Sequence, residues 1–290
     1  MVHMNRRQFV FSTLPIALAA QSRRVMVGAH LWLFAAKQPN YDPTPVLDDV
    51  FQQMAGAGLD GIELMHRTLL ADGSVARLKA LSARYHLPIT GTSWSADLWN
   101  PTQHATALAE IEVVLDRLQI LGGRTLGLSV GDARRKKTPA DFDAQADALR
   151  HVMRLCAARK IVPNLHNHVY EVRDGEHDLN GTLSRIPDIR LGPDLGWLFR
   201  AGVDPVDFIR RRGRQMVFAH LRNEKADHTW PEDLTEGVID YAAVGKALHE
   251  AGFQGDLMIE LAHEKDFTPT RSFGDSIRIS REHVRRVMGY

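Results

Sequence analysis

Cysteine is almost missing from this sequence. Cys156 is the only one in 290 residues, so no disulfide can close within the chain and no zinc site can be assembled from thiolates. A surplus of either charge is missing too. Thirty-six lysines and arginines face 35 aspartates and glutamates, a formal charge of +1 that supplies no general attraction to nucleic acid or to anionic lipid. The apolar run within residues 9–20 is too short to span a bilayer, so no stable membrane insertion is expected. No Gly-rich loop has the spacing of a phosphate cradle, and no low-complexity linker divides the chain. What is there is a chain 44% hydrophobic, long enough to bury a full-sized core, whose expected partners are small molecules or further copies of itself. Cys156 falls in the helical pattern "ALRHVMRLCAARK", where packing is its expected role.

The first twenty residues stand apart. "NRRQFVFSTLPIALAA" joins Arg6 and Arg7 to a short apolar stretch ending in small residues, and it resembles a twin-arginine export signal. Ala17, Leu18 and Ala19 form an A-x-A cleavage pattern. Residues 1–20 are therefore expected to be removed and residues 21–290 to reach the periplasm folded and loaded with any cofactor. Asn5 and Val10 depart from the usual residues of such signals; without the signal the protein stays cytoplasmic.

Beyond that segment, short β-favouring runs alternate with longer amphipathic stretches, the pattern of βα units around a parallel sheet. Eight runs can be counted, at 25–31, 59–65, 87–93, 124–130, 161–168, 188–194, 215–221 and 256–261. Between them lie helical patterns punctuated by Pro at the start and Gly at the end, as in "PTPVLDDVFQQMAGAG". Eight such units in this length predict an α/β fold, a single-domain (β/α)8 TIM barrel over residues 21–290.

In a barrel of this kind functional groups gather where the strands end. Polar residues do so here: Glu63 on the second run, His166 and His168 on the fifth, Asp194 on the sixth, His220 on the seventh and Glu260 on the eighth. In "VPNLHNHVYE", alternation puts Asn164, His166 and His168 on one face. Carboxylates and imidazoles buried together without partners cost several kcal/mol, roughly, so such a ring calls for a compensating cation. One divalent metal ion would supply it. Mixed oxygen and imidazole donors without thiolate suit manganese or zinc first, with cobalt, iron or magnesium also within range. Trp32, Trp94, Trp99 and Trp197 fall at or just past strand ends, where a sugar ring could stack on them; His30 and His66 are similarly placed.

These residues carry a resemblance over nearly the whole mature chain. "HNHVYE", then "LGPDLGWLFRAGVDPVDFIRRRGRQMVFAHLRNEK", then "MIEL" resembles the xylose isomerase-like TIM barrel superfamily of sugar isomerases, epimerases and inosose dehydratases. The resemblance implies that His166, Asp194, His220 and Glu260 hold the metal. It implies a reaction in which a proton is taken from carbon beside a carbonyl, through an enediolate, by His168 or Glu260, with Glu63 and Glu171 in reserve. Trp32, His66, Trp94, Trp197 and Arg222 are the expected contacts to a carbohydrate substrate. Two departures bear on the reaction: His166 stands where ketose 3-epimerases have a glutamate, and Trp197 stands where several relatives have histidine. Isomerase or epimerase is thus the leading reading, and a dehydratase or lyase acting on a keto-inositol or 3-keto-glycoside the runner-up. A metal-free exported sugar-binding protein remains a third class. An endonuclease IV-like nuclease is disfavoured by the charge balance, and a two-carboxylate glycosidase by the lack of an acid on the fourth strand.

Overall fold

Residues 24–290 are described by the structure, a computed structural model; the export segment expected at residues 1–20 lies outside the described residues. Each of the eight predicted runs overlaps a strand. They are β1 (Met26–His30), β2 (Ile62–Met65), β3 (Ile89–Ser95), β4 (Thr125–Ser129), β5 (Val162–Leu165), β6 (Arg190–Leu191), β7 (Phe218–Leu221) and β8 (Asp256–Ile259). All pairings are parallel, and the sheet runs β6-β5-β4-β3-β2-β1-β8-β7. Bridges Leu191–Met216 and Asp194–His220 join its two ends and close the barrel.

A parallel sheet with helices outside is buried on both faces, which is why its strands read as near-continuous apolar runs rather than alternating ones. Every residue of β4, β7 and β8 is buried. Val27, Ile62 and Leu64 are fully buried, each contributing about 2 kcal/mol by removal from water. The helices begin where local chemistry allows. Thr138 and Asp141 form a reciprocal capping box at the helix Pro139–Ala158, and Asp204 caps Pro205–Arg212. Cys156 is buried in the first of these, as expected. No helix among the described residues is long and apolar enough to cross a membrane.

Some boundaries differ from expectation: β3 runs on to Ser95, and β5 and β6 are shorter than their predicted runs. β5 stops at Leu165 instead of running through His168, because the chain turns there to start the next helix. The His168 amide donates to Glu171 Oε2 at 2.6 Å, so His168 caps the helix Val169–Leu183 rather than ending a strand. β6 is only two residues long, and Gly192 follows it at a close approach: a Cβ there would lie 1.8 Å from Asn164 Oδ1.

Candidate active site

The strand ends meet around His220. Its Nε2 donates to Glu63 Oε2 at 2.6 Å, while its Nδ1 lies 3.1 Å from His166 Nδ1 and 3.1 Å from Glu260 Oε2. Asp194, bridged to His220 through the β6–β7 closure, completes the group: His166, Asp194 and His220 bring donor atoms within 4.8 Å of one another. These are three of the four ligands expected from the sequence. The fourth, Glu260, stands beside them and is drawn toward His30 Nδ1 (3.3 Å) and Arg222 Nη2 (2.9 Å).

The supports of each group follow from the loops that carry them. Asp194 caps the short helix Leu195–Arg200, accepting from the Trp197 amide at 2.9 Å on Oδ1, while Oδ2 accepts from Arg222 Nε at 3.1 Å. Asn167 exchanges two hydrogen bonds with the Asp194 backbone, so the residue that points away from the His166 side ties β5 to β6. Arg222 thereby spans Asp194 and Glu260, with its guanidinium 5.2 Å from the Trp197 ring and 5.1 Å from Trp230. Close packing of the backbone permits this: a Cβ on Gly196 would press on Arg222 at 2.9 Å.

Electrostatics in this buried group are uneven. Burial lowers the His220 pKa, but Glu260 and Glu63 outweigh it and push the imidazole up to about 9. Burial and the neighbouring His168 and His220 hold His166 well below the usual histidine value. Burial works to raise Glu260, yet Arg222, His220 and His30 together hold it well below the carboxylate range; Asp194, for which burial prevails over Arg222, stays raised. The two carboxylates share one arginine, and Glu260 has the larger cationic company.

The donor set fits a divalent cation. Glu63 Oε1 is buried without a hydrogen-bond donor, Glu260 Oε2 makes no hydrogen bond and has only the His220 imidazole 3.1 Å away, and two imidazole nitrogens face each other at 3.1 Å. With Nε2 donating to Glu63, His220 would offer Nδ1 to an ion that displaces its second proton, the usual arrangement of a ligating histidine oriented by a carboxylate. Glu63, expected as a base, is fully buried and placed to orient His220.

Above this floor opens a cavity of about 640 Å³, lined by Trp32, Tyr41, His168, Trp197, Arg222, Trp230 and Glu260 among others. Both residues expected as bases, His168 and Glu260, are on its wall. The His168 ring lies 4.9 Å from His166, stacks on Tyr170 and has Nδ1 3.6 Å from Glu171 Oε2. Burial would lower its pKa, but Glu171 more than offsets this and the net direction is upward. Trp32 stacks on Tyr41 at 5.3 Å.

Two expected substrate contacts are not on this wall. Trp94 is buried in the core with its indole donating to Glu110 at 2.9 Å, and His66 faces a different cavity, 3.8 Å from the same carboxylate. A strand-end position places a residue at the mouth, but the twist of the strand decides whether its side chain turns inward. The sequence reading also passed over Trp230 and Tyr41. Trp230 lies in the long loop after β7, held over the mouth by Asn223, which bonds the amides of Glu224 and Ile239 and the Leu234 carbonyl, and by the Arg200–Glu224 ion pair. A tryptophan inside a polar loop was the available signal.

Among curated proteins, none matches the chain in sequence. Among solved structures it is similar to D-allulose 3-epimerase from Methylomonas sp. (TM-score 0.74, 17% identity, 91% of this chain and 98% of that one). An L-ribulose 3-epimerase gives a TM-score of 0.73 at 18% identity, covering 91% and 95%. 3-Keto-D-glucoside 4-epimerase from E. coli gives 0.69 at 16%, covering 89% and 100%. At these identities the likeness is one of fold. Residues 51–283 match the family described as xylose isomerase-like TIM barrel, and the chain, with its eight parallel strands, closed barrel and strand-end cluster, belongs to that family.

Proposed function

We propose that this protein is a metal-dependent sugar isomerase or epimerase acting on a sugar or keto-sugar through an enediolate. The observation that carries the reading is the layering of the site: three convergent metal donors at the floor, with His168 and Glu260 on the wall of a tryptophan-lined cavity directly above. The activities named for the similar structures agree with it. His166, Asp194 and His220, with Glu260 beside them, would hold the ion. The chemistry such an ion supplies when bound is polarisation of a carbonyl and steadying of the negative charge that develops on its oxygen.

The chain's own residues do the rest. Trp32, Trp197 and Trp230 flank the ring and exclude water; Arg222, fixed between two carboxylates and two indoles, presents a cation to substrate oxygen. His168, oriented by Glu171, takes the proton beside the carbonyl, and Glu260 stands across as the second proton carrier. Return of the proton to a neighbouring atom isomerises, and return to the opposite face epimerises.

One observation favours elimination as a second reading. The fifth-strand position holds His166 rather than a glutamate, and His168, having taken the proton beside the carbonyl, could pass it to a leaving group on the next carbon. Periplasmic residence belongs to the same proposal and rests on Arg6, Arg7 and the apolar run after them; cell fractionation tests it.

The deciding experiment is elemental analysis of the purified protein by mass spectrometry, followed by solvent deuterium exchange into keto-sugars and product analysis. About one equivalent of divalent metal, lost in Asp194→Ala, with exchange into substrate, is expected. No metal before or after reconstitution, and no exchange, would overturn the reading in favour of a sugar-binding protein.

A further inference from the structure

A second cavity, of about 690 Å³, opens beside the first at the same end of the barrel. His66 and Arg67 follow β2 directly, Glu110 comes from the helix His104–Ile120, and Asn40, Asp42 and Thr44 come from the loop after β1. Asn40 lines both cavities. The partition between them is therefore the tongue Lys37–Asp42, whose tip is built rather than loose: Asn40 (φ 56°) and Tyr41 (φ 56°) are consecutive residues in the left-handed region. That conformation is costly for side chains other than glycine. It is held by the Tyr41 amide donating to the Gln38 carbonyl at 3.1 Å and by the stacking of Tyr41 on Trp32.

The polar groups here are arranged, not scattered. Trp94 is a buried core residue, and its indole N–H donates to Glu110. His66 stands 3.8 Å from the same oxygen, longer than a hydrogen bond. Arg67 has no ion-pair partner among the described residues. Its charge faces those of Asp42 and Glu110 across one cavity, so an anion gains little there. Mixed donors and acceptors flanked by Pro39, Pro45 and Leu70 suit a neutral ring with many hydroxyls and apolar faces.

We infer that the substrate is a two-unit glycoside whose reacting keto-sugar occupies the first cavity while a second glycosyl unit crosses Asn40 and is held in the second by His66, Arg67 and Glu110. This rests on the sugar-isomerising reading of the first cavity. It also gives a role to Trp94 and His66, the two expected carbohydrate contacts that do not reach the metal side.

The test uses the full chain with methyl 3-keto-glucoside as the single-ring probe and the 3-keto derivatives of maltose and cellobiose as two-ring probes. Binding is measured by titration calorimetry, and deuterium uptake from solvent is followed separately. At least one two-ring compound should bind about ten-fold more tightly than the single ring, an advantage of one or two charged hydrogen bonds. His66→Ala and Arg67→Ala should abolish that advantage and leave single-ring affinity unchanged, which also reports that the variants fold. Equal or absent binding of the two classes, or an advantage that both variants retain, overturns the subsite. Lack of deuterium uptake with every probe sinks the proposed reaction instead, and the binding comparison still judges the subsite.

Discussion

At the end of the barrel where the strands begin, Asp60 accepts from the Val27 amide at 2.9 Å and meets Arg24 and Arg281, while Asp256 meets Arg124 at 3.3 Å. At the end where they finish, Glu63, Asp194 and Glu260 crowd around His220, and one arginine, Arg222, serves Asp194 and Glu260 together. The first end pairs its acids with two arginines that reach solvent, Arg24 and Arg124 (42% exposed), and with the buried Arg281. The second buries its groups almost completely and leaves Glu63 Oε1 and Glu260 Oε2 without hydrogen bonds. Buried acceptors left over in this way are unfavourable unless something else completes them. The comparison separates charge that holds the barrel together from charge kept available for a ligand.

The largest effect should come from Asp194→Ala. It removes a metal donor and leaves the buried Arg222 with Glu260 alone, so bound metal should vanish in mass spectrometry and deuterium exchange should fall about a thousand-fold. Retained metal would undo the contrast between the two ends. Next, Glu63→Gln should keep the fold and weaken metal affinity about ten- to a hundred-fold in a chelator competition, because only the orientation of His220 is disturbed. At the opposite end, Asp60→Ala should cost about 1 kcal/mol, a fall of a few degrees in melting temperature, with metal content and exchange unchanged. A loss of exchange there would mean that the two ends are coupled.

A helix cap on the outer ring serves as the smallest probe. Arg135 holds the Asp141 carboxylate well below its ordinary value of 3.8, with help from Thr138. A depressed carboxylate contributes stability that is fully present above 3.8 and is lost as pH falls through the lower folded value. Asp141→Asn should therefore melt lower than the unaltered protein at about pH 6, by an effect of about 1 kcal/mol, with the gap narrowing in strong acid. Metal content should not change.

Much of this was legible in the residues. Strands buried on both faces had to be written as apolar runs, and the Pro and Gly punctuation of the helices survives in the observed boundaries. His166, Asp194 and His220 could be picked out because a barrel collects strand ends at one mouth. Arg222 was seen only as a substrate contact; that it spans two carboxylates depends on a loop packing that no periodicity encodes. His30, read only as a residue at a strand end, proves to lie against Glu260. Trp94 and His66 share the right end of the barrel with the other expected contacts and still face a different space.

The solitary thiol has a practical use. Cys156 is fully buried, and burial pushes its pKa up to about 12, so thiol reagents will pass it by at neutral pH. The chain is in effect a cysteine-free background. An Asn40→Cys substitution would carry a single fluorescent label at the boundary of the two cavities, within range of Trp32. Quenching of that label would show in real time which cavity fills first, without any chemistry taking place.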